Sequence, residues 1–185
     1  MNCIKTKLAG AWLIEPRVFS DERGWFFECW NKREFAEAGL DADFVQDNHS
    51  RSRRYTVRGL HYQAPPCAQT KLVRVVAGEI YDVIVDIRWG SPTYGSWQAF
   101  VLSAENRRML YVPVGFAHGF AVLSEQAEVV YKCSDFYAPE TARGIQWNDP
   151  ALDIEWPTTD PVLSEQDRCY APLDETEPCF TWSGA

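Results

Sequence analysis

Fifteen residues, running from Val57-Arg58-Gly59-Leu60-His61-Tyr62-Gln63 to Gln69-Thr70-Lys71, supply a guanidinium, an imidazole, a phenol and an ammonium. His61 is one of three histidines in the chain. An imidazole paired with a carboxylate is a general base that works near neutral pH, because the carboxylate fixes the tautomer and stabilises the imidazolium. A tyrosine across a substrate can deliver a proton, and a lysine or arginine can hold an oxyanion formed between them. Together these are parts for removing and replacing a proton next to a carbonyl. The bland alternative is that His61 is a hydrogen-bonded structural residue, as most polar side chains are.

The charge pattern narrows the ligand. The chain carries 18 Lys plus Arg against 26 Asp plus Glu, a net charge of -8, yet Arg51, Arg53, Arg54 and Arg58 fall within eight residues. A local positive field in an acidic protein suits an anionic small molecule, since Arg binds phosphate bidentately. Nucleic acid would require a basic face that this composition lacks. Nothing approaches the roughly 20 apolar residues of a membrane span, and Met1-Asn2-Cys3-Ile4-Lys5 opens no signal peptide, so a cytoplasmic protein is expected. Six well-separated cysteines without a Cys-x-x-Cys pair are expected to be free thiols.

At 185 residues, 46% hydrophobic and 24% charged, the chain is expected to form one domain over 1-185. Gly10 to Phe19 reads as a strand, Ser20 to Gly24 as a turn, and Trp25 to Trp30 as a second strand containing Glu28. Asn31 and Glu34 form a capping pattern for one short helix that Gly39 stops. Runs rich in Val, Ile and Tyr follow: Leu72 to Val76, Ile80 to Ile87, Trp97 to Leu102, Met109 to Val112, Gly119 to Leu123 and Ala127 to Cys133. Turn residues separate them. Many short strands without long helices predict an all-β antiparallel sandwich or barrel, a class that includes the jelly roll. In the Ile80 to Ile87 run, Asp82 and Asp86 share a face with Ile80 and Ile84, which is either solvated or part of a polar cavity. Leu163 to Asp167 reads as a short capped turn of helix.

Pro113-Val114-Gly115-Phe116-Ala117-His118-Gly119-Phe120 resembles the second cupin motif. Metal-binding cupins carry two more histidines and a Glu in an earlier motif, where this chain has His61-Tyr62-Gln63. With His49 in a polar loop, a three-His metal site is not expected, although two His plus a carboxylate stays open.

Taken in order, Gln46-Asp47-Asn48-His49-Ser50, Arg58 to Gln63, Lys71-Leu72-Val73, Ser91-Pro92-Thr93, Gly115 to Phe120 and Trp147-Asn148-Asp149-Pro150 resemble the dTDP-4-dehydrorhamnose 3,5-epimerase family. The resemblance runs from about Phe19 to Asp167. It implies a cupin-type jelly roll with a few short helices, no catalytic metal or other cofactor, a homodimer, and a dTDP-sugar inverted at C3 and C5. By similarity His61 is the base with Asp167 as its partner, Tyr131 the acid, and Lys71 the group holding the C4 oxyanion, with Arg58 and His118 nearby. Arg23, Glu28, Gln46, Asp47 and Asn48 fall where the family contacts sugar and diphosphate, and Tyr137 where it stacks on thymine. An acidic residue frequent in the family after Tyr137-Ala138-Pro139 is absent, with Ala142 and Arg143 in its place.

Three other readings compete. One is a relative inverting C3 or C5 alone, another is a sugar-nucleotide-binding cupin without catalysis, and the third is a metal-dependent oxygenase or isomerase. The segment from Leu173 to Ala185 carries no readable signal.

Overall fold

A computed structural model describes residues 1–184. Its first half contains β1 (Asn2–Lys5), β2 (Trp12–Glu15), β3 (Phe19–Asp21), β4 (Gly24–Phe26), helix α1 (Lys32–Glu37), β5 (Gln46–Arg53), β6 (Val57–Gln63) and β7 (Lys71–Ala77). Then come β8 (Glu79–Asp86), β9 (Arg88–Trp89), β10 (Trp97–Ser103), β11 (Met109–Val112), β12 (Phe116–Val122), β13 (Gln126–Cys133), β14 (Ala142–Gly144), helix α2 (Glu165–Arg168) and β15 (Phe180–Thr181).

Two antiparallel sheets face each other, one ordered β1-β2-β11-β7-β13-β5 and the other β10-β8-β12-β6-β14. This is the all-β sandwich that the sequence predicts. Alternation along the strands builds three apolar layers. Leu110 and Val112 of β11 join Val73, Ile80, Ile84, Phe116 and Phe120 between the sheets. Met109 and Tyr111, the alternate residues of the same strand, pack with Phe35 of α1 outside the six-stranded sheet. Val83 and Val85 of β8, with Ile87 just beyond it, meet Leu60, Leu152, Leu173 and Phe180 outside the five-stranded sheet. Each sheet is therefore covered on both faces near its centre, and β11 and β12 are buried throughout.

The helix forms as its cap predicts: the Asn31 side chain accepts from the Glu34 N–H, and Gly39 closes the end with a φ of +78°. Two strand expectations need correction. The ladder of β2 ends at Glu15 because Pro16 has no N–H to continue it, so Gly10 to Phe19 is not one strand. Trp25 to Trp30 is strand only to Phe26, since Trp30 leaves the ladder to pack its ring 4.4 Å from Phe35 and 4.6 Å from Phe44. His49 also lies in β5 rather than in a loop, with Nε2 3.0 Å from Glu128. All six cysteines are free.

The carboxylates of β8 are not solvated: Asp82 and Asp86 are both 0% exposed. Asp86 accepts from Arg88 Nε (2.8 Å) and Nη2 (2.7 Å), from Ser91 Oγ (2.6 Å) and from Thr93 Oγ1 (2.7 Å). Burial alone would raise its pKa, yet these bonds hold the carboxyl below the ordinary range. The Arg88 guanidinium in turn lies 4.4 Å from the Phe116 ring and 4.3 Å from that of Trp182. Asp86→Ala strands that cation, and the expected loss is about 3–5 kcal/mol in a urea unfolding curve, as for one partner of a buried pair.

Candidate active site

The two sheets part at one end into a cleft of about 410 Å³, a size that suits a small organic ligand. The six-stranded sheet contributes Gln46 and Asn48 from β5, Lys71 from β7 and Tyr131 from β13; the five-stranded sheet contributes His61 and Gln63 from β6 with Ala142 and Arg143 from β14. Gln69, Tyr137, Gln166 and Tyr170 complete the rim. His61 and Tyr131 therefore belong to opposite walls.

The position of His61 on β6 follows from two glycines. A Cβ on Gly59 would sit 2.6 Å from Gly119 Cα, and one on Gly119 only 2.8 Å from the Arg58 carbonyl. Here β6 and β12 approach more closely than any side chain would permit, and their register shifts between His118 and Phe120. His61 Nε2 lies 2.5 Å from Asp167 Oδ1. The His61 side chain is 38% exposed, towards the cleft, and that of Asp167 only 4%. Asp167 belongs to the capped helical turn that the sequence predicts, with Ser164 as its N-cap, and also serves as the partner of His61: Ser164 Oγ donates to Asp167 Oδ2 at 2.8 Å.

Burial pushes the Asp167 carboxyl up, but the hydrogen bond and charge of His61 and the Ser164 hydroxyl outweigh it, leaving the group below its ordinary 3.8. The stability this pairing contributes is present above the unfolded value and is lost as pH falls through the lower folded one. Asp167 is thus an anion throughout the neutral range. Facing an anion, Nε2 carries the proton and Nδ1 is left as the basic nitrogen.

Opposite, burial raises the Tyr131 phenol above 10.0, with the charge of Arg58 pulling slightly the other way, so Tyr131 stays protonated at neutral pH. Lys71 reaches from the six-stranded sheet to place Nζ 3.5 Å from the His61 carbonyl. Desolvation draws its pKa below 10.5 against the pull of Cys133 and Asp82. Tyr137 is exposed at the rim, its N–H donating to Gln46 Oε1 at 2.9 Å.

Of the residues expected at the site, His61, Lys71, Tyr131, Gln46, Asn48 and Tyr137 line this cleft, and Asp167 backs His61. Arg58 is not among the lining residues, but its charge acts on the Tyr131 phenol and its Nε donates to Ser52 Oγ at 2.9 Å. Four others are elsewhere in the single chain. Asp47 alternates to the outer face of β5 and pairs with Lys132 at 2.9 Å; Arg23 is exposed beside Asp21; Glu28 lies next to Asn31 at the start of α1. His118 is buried one strand from His61, its Nε2 3.0 Å from both Asp82 oxygens. The local arginine field is also thinner than the sequence suggests, because Arg51 and Arg53 share the outward face of β5 with Asp47 and His49.

Gln63, Gln69, Arg143, Gln166 and Tyr170 are cleft residues that the sequence reading did not assign. Gln63 and Gln69 lie in the same Val57 to Lys71 stretch as His61. Tyr170 carries no motif at all.

Known proteins resemble this chain in sequence and in fold. The profile of the dTDP-4-dehydrorhamnose 3,5-epimerase family matches residues 5–175. The Pseudomonas aeruginosa dTDP-4-dehydrorhamnose 3,5-epimerase is 57% identical over 170 residues, 91% of this chain and 93% of the relative. A crystal structure of dTDP-6-deoxy-D-glucose-3,5-epimerase from Legionella pneumophila, in complex with dTDP-4-keto-L-rhamnose, superposes with a TM-score of 0.95 at 44% identity, covering 99% of both chains. A 3'-monoepimerase from Streptomyces bikiniensis in complex with dTDP-quinovose has the same fold, at TM-score 0.87 and 37% identity over 92% of this chain and 87% of that one. A profile match over nearly the whole length, identity above half and a superposable sandwich converge: this chain belongs to the dTDP-4-dehydrorhamnose 3,5-epimerase family.

Proposed function

We propose that the protein inverts C3 and C5 of dTDP-4-dehydro-6-deoxy-D-glucose to give dTDP-4-dehydro-L-rhamnose. The observation that carries this reading is the placement of a histidine–carboxylate pair on one wall of the cleft and a protonated tyrosine on the other. The C4 ketone acidifies the hydrogens on C3 and C5 alike. His61 takes the C3 or C5 proton from one ring face, the electrons move onto the C4 oxygen, and Tyr131 protonates the same carbon from the opposite face. His61 then releases its proton to solvent and Tyr131 takes one up, and repeating the step at the second carbon completes the double inversion. Lys71 holds the enolate oxygen, and the electrostatic help is large because the group is desolvated and already in place. The chemistry consumes no electron pair and calls for no redox partner.

Glycosyl and nucleotide binding follow from the rim. Tyr137 offers an exposed ring for thymine, while Gln46 and Asn48 offer amides to the sugar diphosphate, with Arg58 adjacent. Arg23 and Glu28 reach this role only if a second copy presents them. The hairpin β3–β4 exposes Phe19 (51%), Trp25 (57%) and Phe26 (64%), an apolar patch of the kind that marks association. A homodimer in which this hairpin meets the partner's cleft accounts for both facts. Sedimentation at micromolar concentration is expected to give a dimer; a monomer overturns the assignment of Arg23 and Glu28.

The decisive experiment is incubation with dTDP-4-dehydro-6-deoxy-D-glucose in heavy water, read by NMR. Deuterium at both C3 and C5 is the expected result. Label at one carbon alone would make this a single-centre epimerase, and no label would leave a binding protein.

The pH profile offers a separate check. Tyr131 is raised and Lys71 is lowered, so burial moves loss of the phenol proton to higher pH and loss of the ammonium to lower pH. The alkaline limb of kcat/KM is expected to fall below the pH of an ordinary lysine. Lys71→Arg, always charged, should move that limb upward; an unmoved limb assigns it to another group.

A further inference from the structure

We propose that Tyr170 is a positioning residue for His61, one that fixes the imidazole plane and shields the His61–Asp167 pair from water; this rests on His61 being the base. Asp167 grips the imidazole at one atom, Nε2, which leaves the ring able to pivot about that contact. The second constraint comes from Tyr170, two residues beyond the end of α2. The Tyr170 ring lies 5.7 Å from that of His61 with its plane at 69°, an edge-to-face contact. Its hydroxyl is tied back to α2, accepting from Gln166 Nε2 at 2.7 Å. One short element thus supplies both Asp167 and the clamp on Tyr170.

The opposite side of the tyrosine shows that its place is built. Gly144 in β14 stands directly across the ladder from His61. A Cβ there would fall 2.3 Å from Tyr170 Cε2, 2.4 Å from Cζ and 2.6 Å from Cδ2. The ring therefore lies against bare backbone, and any side chain at 144 would force it out of this position. Burial and the nearby Asp167 charge both raise the Tyr170 phenol, which keeps it neutral and unable to compete as a base.

The inference separates two effects that a merely structural tyrosine would not. Tyr170→Ala is expected to lower kcat for epimerisation by roughly ten- to a hundredfold with KM little changed, since small misplacements of a reacting group are costly. Tyr170→Phe keeps the ring and should recover most of that loss. Gly144→Ala displaces the same ring and should lower kcat similarly, but combined with Tyr170→Ala it should add nothing, because the ring that the new methyl would strike is gone. If Gly144→Ala alone unfolds, Tyr170→Ala should restore its folding by removing the clash.

A Tyr170→Ala enzyme within twofold of the parent kcat overturns the proposal. So does an additive double variant, or a Tyr170→Phe enzyme as slow as Tyr170→Ala. Failure of the functional reading looks different: the parent protein itself would exchange no deuterium.

Discussion

His61→Ala is expected to abolish deuterium incorporation at C3 and at C5 together, by about 10² to 10⁴-fold, the range for a positioned general base. Both centres fall at once because the cleft contains one imidazole on the β6 wall. Binding of dTDP should survive, since Tyr137, Gln46 and Asn48 are untouched. Asp167→Asn makes the same point more finely. An asparagine that offers its amide N–H to Nε2 stabilises the tautomer protonated at Nδ1, so the basic nitrogen turns towards residue 167 instead of the substrate. Activity should drop nearly as far as in His61→Ala with the fold intact by circular dichroism. Exchange that persists at either carbon in His61→Ala would remove His61 from the mechanism.

Which parts of this were readable in advance depends on what alternation can and cannot carry. From Lys71 to Cys133 the apolar runs found their strands within a few residues, because each buries at least one face on a neighbour. β5 was missed as a strand since Gln-Asp-Asn-His-Ser-Arg-Ser-Arg has no apolar residue; it is an edge strand, held by a full ladder to β13. Its pairing partner supplies the hydrophobicity that its own sequence lacks. Alternation also showed that Asp82 and Asp86 share a face but not that both faces of β8 are covered. That depended on loops and a terminal segment far away in the chain.

The terminal segment is the clearest case of information held by contacts. Residues 173 to 184 carry no periodic signal, yet Leu173 and Phe180 complete the outer core and β15 pairs in parallel with β9. Two-residue strands leave no pattern to read. The same holds for Tyr170, whose position is defined by an empty space at Gly144 twenty-six residues earlier. His61, Lys71 and Tyr131, by contrast, were legible as a set only through the family resemblance: spacing put Tyr131 on a strand and Lys71 beside one, gave no strand for His61, and placed none of them around one cleft.

Tyr131→Phe is expected to separate exchange from inversion. Without the phenol, His61 can still remove a proton and return it to the face from which it came, with Lys71 holding the enolate in the meantime. Deuterium should therefore enter the recovered substrate with its configuration retained, while formation of the inverted product falls by about 10² to 10⁴-fold, the share of a missing general acid. The packing of Tyr131 against Val73 and Val129 in the central layer is preserved in phenylalanine, so a loss of stability cannot imitate the effect. The phenol's raised pKa fits this assignment, because a group that must arrive protonated gains from an environment that disfavours its anion. Loss of exchange in parallel with inversion would mean that Tyr131 also takes part in forming the enolate. Undiminished inversion would mean that water or another side chain protonates that face, and the opposed-wall mechanism would fail.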